Sequence, residues 1–369
     1  MIQVFKPEIG DDEIAAVSEV LRSGWLGLGP RTAEFEQRFS AYVGTAAAVG
    51  VNSGTSALDL ALRLLHISHN HEVIVPTLTF VSTAHVVAYN LATPVFADID
   101  PHNLNISLDD VAAKITPRTR AILPVHYGGR PVDIDALREV ADGIPIVEDC
   151  AHACGSSLRG RKAGCLGDIG CFSFQAVKNL ATGDGGALTL DDPEWTARAK
   201  RLRWLGIDKG TWDRTEGDRS YWWEYSVDEV GLKCHMNDIA AAMGLVQLAK
   251  LDAMNARRAE IADLYTAALA DVPEVETPPA DGDGSLSSWH IYCVKCERRD
   301  DLSVWLQERG VATGVHYKPI HTYRCYGNRP VLAAAERVFP LILSLPMYPS
   351  LTDGEVDQVV AGIRSFYGR

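Results

Sequence analysis

No apolar run in the 369 residues approaches the roughly 20 that a membrane-spanning helix needs. The opening Met1-Ile2-Gln3-Val4-Phe5-Lys6-Pro7 has no basic flank followed by an apolar stretch, so the expected location is the cytoplasm. Cations are scarce: 35 Lys and Arg against 48 Asp and Glu leave a net charge of −13, which repels phosphate backbones and anionic lipid. Nucleic acid and membrane surfaces are therefore excluded as partners. Metal-binding spacing is missing too. Of the eight cysteines (Cys150, Cys154, Cys165, Cys171, Cys234, Cys293, Cys296 and Cys325) only Cys293-x-x-Cys296 has the Cys-x-x-Cys spacing, and no second such pair or close histidine pair accompanies it. Its neighbours Ile291, Tyr292 and Val294 read as a strand, so free structural thiols and no metal are expected. No Gly-x-Gly-x-x-Gly follows the first strand, which argues against a nicotinamide-dependent dehydrogenase. Repeats and low-complexity tracts are absent.

What is present is the makings of a large core: 47% apolar and 22% charged residues, in a chain long enough for a large α/β unit and a smaller second domain. Ile14, Val17, Val20 and Leu21 recur at helical spacing until Gly24, and Leu58, Leu62 and Leu65 share one face of a second helix over 55–65. Short strands are expected at 73–75, 94–96, 121–125, 145–147, 171–174 and 187–190, with helices at 82–89, 108–114 and 133–141 between several of them. That alternation predicts a largely parallel sheet covered on both faces. The segment 208–229, with Trp212, Tyr221, Trp222, Trp223 and Tyr225, reads as a long polar and aromatic excursion. A helix follows over 237–251, a smaller α+β domain begins near 250, and Thr352-x-x-Glu355 opens a last helix that turns Val356, Val359, Val360 and Ile363 inward.

In such sheets ligands bind beyond the carboxyl ends of the strands, which directs attention to Thr79-Phe80, Asp149 and Lys178. Asn52-Ser53-Gly54-Thr55-Ser56-Ala57 gathers amides and hydroxyls at a helix start, a seat for an anion, although the same run is an ordinary helix cap. Asp149 ends an apolar strand and faces a crevice or caps a helix. Lys178 precedes the turn Thr182-Gly183-Asp184-Gly185-Gly186, where backbone approaches a ligand closely or the lysine is simply solvated. An anion seat, an acid at a strand end and a lysine in a tight turn together match the needs of pyridoxal phosphate. Lysine forms the Schiff base, the acid keeps the pyridine nitrogen protonated, and helix-end amides hold the phosphate. Phe80 is the candidate for stacking on the ring, or else a core residue.

With those residues the chain resembles the nucleotide-sugar aminotransferases of the DegT/DnrJ/StrS type, of the aspartate-aminotransferase fold type I. The likeness runs through Phe5-Lys6-Pro7, Ser23-Gly24-Trp25-Leu26, Gly29-Pro30, Asn52-Ser53-Gly54-Thr55-Ser56-Ala57-Leu58, Pro76-Thr77-x-Thr79-Phe80 and Glu148-Asp149-x-Ala151-His152. It continues in Ser173-Phe174-x-x-x-Lys178-Asn179, Gly185-Gly186, Trp289-His290, Val315-His316-Tyr317-x-Pro319-Ile320-His321 and Ser344-Leu345-Pro346-Met347-Tyr348. The resemblance implies a mostly parallel seven-stranded sheet in a large cofactor-binding domain, residues 1–249, and a small domain, residues 250–369. It implies that Lys178 carries the cofactor, that Asp149 partners the pyridine nitrogen, that His152 lies near the ring hydroxyl and that Phe80 stacks on the ring. Gly54, Thr55, Ser56 and Ser173 then hold the phosphate, and His290, His316 and Tyr317 lie on the substrate side.

A homodimer with shared sites is also implied, completed by Gly231-Leu232-Lys233-Cys234-His235-Met236 of the second subunit. There Lys233 replaces the commoner Asn and His235 the commoner Arg, and Asp184 stands where Glu is commoner. Lysine still neutralises a phosphate as a point charge. The implied reaction moves an amino group from an amino acid, glutamate first, to a keto group of a nucleotide-activated deoxysugar, a 4-keto-6-deoxyhexose first. The competing readings are a 3-keto-sugar aminotransferase, a sugar dehydratase using the same cofactor, and a non-catalytic regulatory homologue. Lys178 argues against the dehydratase branch, which carries histidine there.

Overall fold

The computed structural model describes residues 1–208, 224–327 and 330–369. The expected aromatic excursion, with Trp212, Tyr221, Trp222 and Trp223, lies for the most part outside the described residues. Seven strands form the main sheet: β1 Ala47–Val51, β2 Glu72–Pro76, β3 Thr93–Ala97, β4 Thr119–Ile122, β5 Val147–Asp149, β6 Ile169–Ser173 and β7 Gly186–Leu190. Hydrogen bonding orders them β1-β7-β6-β5 and β3-β2-β4. The two groups join through parallel bridges Ile122 to Ile146 and Val125 to Asp149, with Asp149 N–H donating to the Pro124 carbonyl at 2.9 Å. Only β7 runs against its neighbours, so the sheet is mostly parallel as expected.

Why these runs are strands is visible in the packing. Val73 and Val75 enter one apolar cluster while Ile74 between them enters another, and Ala121, Ile122 and Leu123 alternate in the same way. Both faces of the strands are therefore buried, and the runs are apolar throughout instead of alternating with polar residues. Helices α1 Asp11–Ser23, α2 Pro30–Val43, α3 Gly54–Leu64, α4 Ser82–Tyr89, α5 Leu108–Lys114, α6 Ile134–Ala141 and α7 Pro193–Leu202 accompany the sheet. A third cluster holds Phe39 against Phe35, Phe172 and Phe174, with ring centroids 5.5, 4.9 and 5.3 Å away.

The long helix α8, Asp238–Leu269, is capped by Asn237 and runs unbroken through residue 250. Its amino-terminal part packs with α2 residues, whereas Ile261, Ala262, Tyr265 and Leu269 join a cluster with β8 Tyr292–Cys296, β9 Ile342–Leu345, α9 Arg299–Glu308 and α10 Asp353–Tyr367. Both members of Cys293-x-x-Cys296 lie on β8, and all eight thiols are free. The Thr352–Glu355 capping box is formed, with Val356, Val359, Val360 and Ile363 buried.

Helix α1 departs from its expected face. Val20 is buried, but Ile14 and Leu21 are 60% and 54% exposed, and Glu13 is buried in their stead. Glu13 accepts from Gly10 N–H at 2.8 Å, from Gln247 at 2.8 Å and from Lys250 at 3.0 Å, so a polar contact to α8 sets the rotation of the helix. Among the described residues no helix is long and apolar enough to cross a membrane.

Phe39→Ala is expected to lower stability by about 3–5 kcal/mol, because it opens a cavity among three aromatic rings. The urea midpoint of the variant measured beside that of the parent chain checks this; a midpoint unchanged within error would refute the packing described.

Candidate active site

Chain direction does the first part of the work. β1, β2, β5 and β6 end at the same edge of the sheet, and the residues that follow them are Asn52-Ser53-Gly54, Thr77-Leu78-Thr79-Phe80, Cys150-Ala151-His152 and Phe174 to Lys178. At the start of α3, the Ser53 hydroxyl accepts from Ser56 N–H at 3.1 Å, and the Ser56 hydroxyl bonds Asn52 at 2.7 Å. A side chain at Gly54 would bring its Cβ to 2.8 Å from Cβ of Ser173, and one at Gly186 would meet the Ser53 main chain at 2.5 Å. Glycine at these two places lets the helix start, Thr55, Ser56 and Ser173 close on one small space.

Asp149 is 3% exposed and accepts from Ala151 N–H at 3.1 Å and from the Thr83 hydroxyl at 2.9 Å. With its proton spent on Asp149, Thr83 accepts in turn from the Thr79 hydroxyl, 3.0 Å away. Burial raises the Asp149 pKa; the two hydrogen bonds and the Lys178 charge oppose it. Lys178 shows the converse. Desolvation brings its pKa down to about 8, with Asp149 working in the other direction. No hydrogen bond or ion pair engages its amine among the described residues.

Three neutral imidazoles stand around this pair. The Gly128 N–H can only donate, so His152 Nδ1 accepts it at 3.3 Å and the ring proton sits on Nε2, 3.0 Å from the Tyr317 hydroxyl. His290 lies 4.7 Å from His152 between centroids and stacks on Phe5 at 5.2 Å; His316 bonds Ser344 at 2.8 Å. Burial, and then the Lys178 charge, holds His152 and His290 well below the usual imidazole range and His316 at about 4. Phe80 is 55% exposed and 6.0 Å from the Tyr317 ring, an open aromatic face at the mouth.

The structure thus gathers Lys178, Asp149, His152, His290, His316 and Tyr317 around one centre and sets Phe80 at its edge. Tyr317, expected on the substrate side, lies 3.0 Å from His152 Nε2 through its hydroxyl. Lys233 stands elsewhere: its amine is 3.4 Å from the Trp204 ring centroid and 3.4 Å from His235 Nδ1. Thr83 and Asn179 were missed as functional residues. Thr83 sits one helical turn beyond Thr79, and Asn179 directly follows Lys178 within a recognised motif, so both had a spacing signal. His126 and Glu148, beside Cys150, are self-satisfied. Glu148 takes His126 Nε2–H at 2.8 Å and the amides of Gly164, Leu166 and Gly167, and His126 Nδ1 accepts from Val132 N–H at 2.9 Å.

A buried acid and a lysine unpaired among the described residues, at the carboxyl edge of a mostly parallel seven-stranded sheet with a helix start beside them, define a pyridoxal-phosphate-dependent transferase of fold type I. Residues 7–364 match the model of the DegT/DnrJ/EryC1/StrS aminotransferase family, and the chain belongs to that family. It is 40% identical to a dTDP-4-dehydro-2,3,6-trideoxy-D-glucose 4-aminotransferase of Saccharopolyspora spinosa, over 97% of this chain and 95% of that one. The crystal structure of the aminotransferase TlmJ from Streptoalloteichus hindustanus superposes with a TM-score of 0.94 at 41% identity, covering 100% of this chain and 99% of that one. The putative sugar aminotransferase Spr1654 from Streptococcus pneumoniae, in its PLP form, gives 0.92 at 32% identity, covering 99% and 98%. The protein is an enzyme, a pyridoxal-phosphate-dependent sugar aminotransferase. The residues present fit that cofactor: an amine free of partners among the described residues, a buried carboxylate, and a helix start that only glycine at Gly54 keeps open.

The lowered pKa makes a prediction. An amine adds to an aldehyde only when unprotonated, so the rate at which the cofactor-free enzyme takes up pyridoxal phosphate is expected to rise with pH about a midpoint near 8. Stopped-flow absorbance across pH 6 to 10 reads this; a midpoint near the ordinary lysine value of about 10.4 would contradict the desolvation described.

Proposed function

We propose that the enzyme transfers the amino group of an amino acid, glutamate first, to the 4-keto group of a nucleotide-linked 6-deoxyhexose. The observation that carries this reading is the Lys178 amine, brought to about 8 and without a bonding partner among the described residues, beside buried Asp149. When bound, pyridoxal phosphate supplies an aldehyde for amines to condense with and a protonated ring that accepts the electrons of the breaking C–H bond. Lys178 Nζ holds the cofactor at rest. As a free amine it would carry the proton between substrate carbon and cofactor. Asp149 keeps the proton on the ring nitrogen, and Thr79 and Thr83 fix the carboxylate. Gly54, Thr55, Ser56 and Ser173 would hold the phosphate, Phe80 would lie against the ring, and His152, bonded to Tyr317, would be the group nearest the ring hydroxyl.

The nucleotide end has support in a groove leading away from Phe80 and Tyr317. Two adjoining cavities of 330 and 690 Å³ share Val81, Lys318 and Tyr323, and the outer one adds His85 and Arg324. Among the described residues neither is lined by Asp or Glu, in a chain of net charge −13. A diphosphate suits such a channel. A homodimer with shared sites is part of the same reading: Ile9, Ile14, Leu21 and Leu26 form exposed apolar surface at and beside α1, and Lys233 is a surface cation available to a second subunit's phosphate.

The decisive experiment offers glutamate to the purified enzyme, follows the bound cofactor by absorbance, then supplies a panel of 3- and 4-keto-sugar nucleotides with mass detection. Conversion to the amino form of the cofactor followed by a 4-amino sugar is expected; loss of a sugar hydroxyl would establish the dehydratase instead. Asp149→Asn is expected to fold yet lose about 100-fold or more in turnover. A near-normal rate with full cofactor would remove Asp149 from the role. Mixing Lys178→Ala with Lys233→Glu subunits, each nearly inactive alone, is expected to restore partial activity if sites are shared. No recovery after proven subunit exchange would place Lys233 outside its neighbour's site.

A further inference from the structure

Asn179, next to Lys178, is 4% exposed and uses its whole amide. Nδ2 donates to the Ser288 carbonyl at 2.8 Å and to Asn255 Oδ1 of α8 at 2.8 Å. A main-chain carbonyl only accepts, so the NH₂ end must face Ser288 and Oδ1 must face His290, 3.0 Å from Nδ1. An amide oxygen also only accepts. His290 therefore carries its proton on Nδ1 and keeps a lone pair on Nε2, the reverse of His152 against which it lies.

The same side chain ties down the lysine loop. Asn255 is itself oriented by donating to the Cys154 carbonyl at 2.9 Å, and Gln247 of α8 receives Ala181 N–H at 3.3 Å. Lys178 thus sits in a loop clamped to α8 on its carboxyl side. The titratable and charged groups facing His290 are Lys178 from the loop, His152 after β5, Arg258 from α8 and His316.

We propose that Asn179 is a positioning residue for the amino transfer: it locks His290 as the Nδ1–H tautomer and anchors the loop that presents Lys178, so that the amine meets its ligand against a fixed, uncharged imidazole. The inference rests on Lys178 being the lysine that holds the cofactor. A bare packing role would need neither the tautomer nor the absence of charge.

The test uses the full-length, cofactor-free enzyme with ¹⁵N-labelled histidine. NMR is expected to find His290 protonated on Nδ1 alone at pH 7; a proton on Nε2 would overturn the proposal outright, with no variant needed. Asn179→Asp keeps the shape but loses both donated bonds and sets a negative charge beside the imidazole. His290 is then expected to hold both protons at pH 7; the new carboxylate and the imidazolium it creates offset each other at Lys178, so the pH midpoint for cofactor uptake is expected to stay near 8. If the His290 signal does not move, Asn179 is packing only. Asn255→Ala, which spares the Asn179–His290 bond, is expected to leave the His290 tautomer as in the parent; a changed tautomer would assign the locking to Asn255. Borohydride reduction of the loaded enzyme with peptide mapping reports separately whether Lys178 carries the cofactor, so a failure of the functional reading and a failure of this one are told apart.

Discussion

A partly desolvated lysine amine, with no counter-ion at bonding distance among the described residues, is the condition around which the carboxyl edge of this sheet is organised. Desolvation favours the neutral amine and the charge of Asp149 favours the ammonium, and their balance leaves Lys178 at about 8. Any further positive charge nearby would push the amine lower and any further negative charge would restore an ordinary lysine. The surroundings supply neither. His152, His290 and His316 are all held neutral by burial and by Lys178 itself, and they form an uncharged wall that still offers hydrogen bonds.

That wall depends on main-chain groups, whose donor or acceptor character cannot change. Gly128 N–H decides the tautomer of His152, and the Ser288 carbonyl, acting through Asn179, decides that of His290. Beside them, His126 and Glu148 make a closed pair in which both groups are filled by backbone and by each other. Such groups are structural because nothing is left over. In the Lys178 cluster an amine is left over, and this separates a site from a buried polar network.

The fold makes the arrangement possible through direction. With all strands but β7 running the same way, the ends of β1, β2, β5 and β6 deliver a helix start, a threonine-rich turn, an acid and the lysine loop to one edge. Close contact then becomes a matter of volume: Gly54 and Gly186 allow Ser173 and Ser53 to approach without a Cβ between them. Among the described residues the negative net charge of the chain has no counterpart in the groove beyond Phe80 and Tyr317, where Lys318 and Arg324 stand without lining carboxylates.

Local patterns in the chain were sufficient for much of this. Apolar runs such as 73–75 and 121–123 are strands because a strand buried on both faces must be apolar throughout, and Ser53, Asn237 and Thr352 start helices because their oxygens accept from free amides. Asp149 and Lys178 were legible because a charged residue directly after an apolar strand, or in a glycine-rich turn, has a short list of uses. The rotation of α1 was not legible: Ile14 and Leu21 follow a helical period, yet Glu13 is the buried residue, because its partners Gln247 and Lys250 lie more than 200 positions away. The continuity of α8 through residue 250 and the bonds of Tyr317 to His152 and of Thr83 to Asp149 were equally out of reach, since a spacing signal marks a residue without naming its partner. Sequence spacing specifies which groups a local segment presents. Only the tertiary structure decides which distant donor meets which acceptor, and hence which proton each histidine keeps and how much charge the lysine can bear.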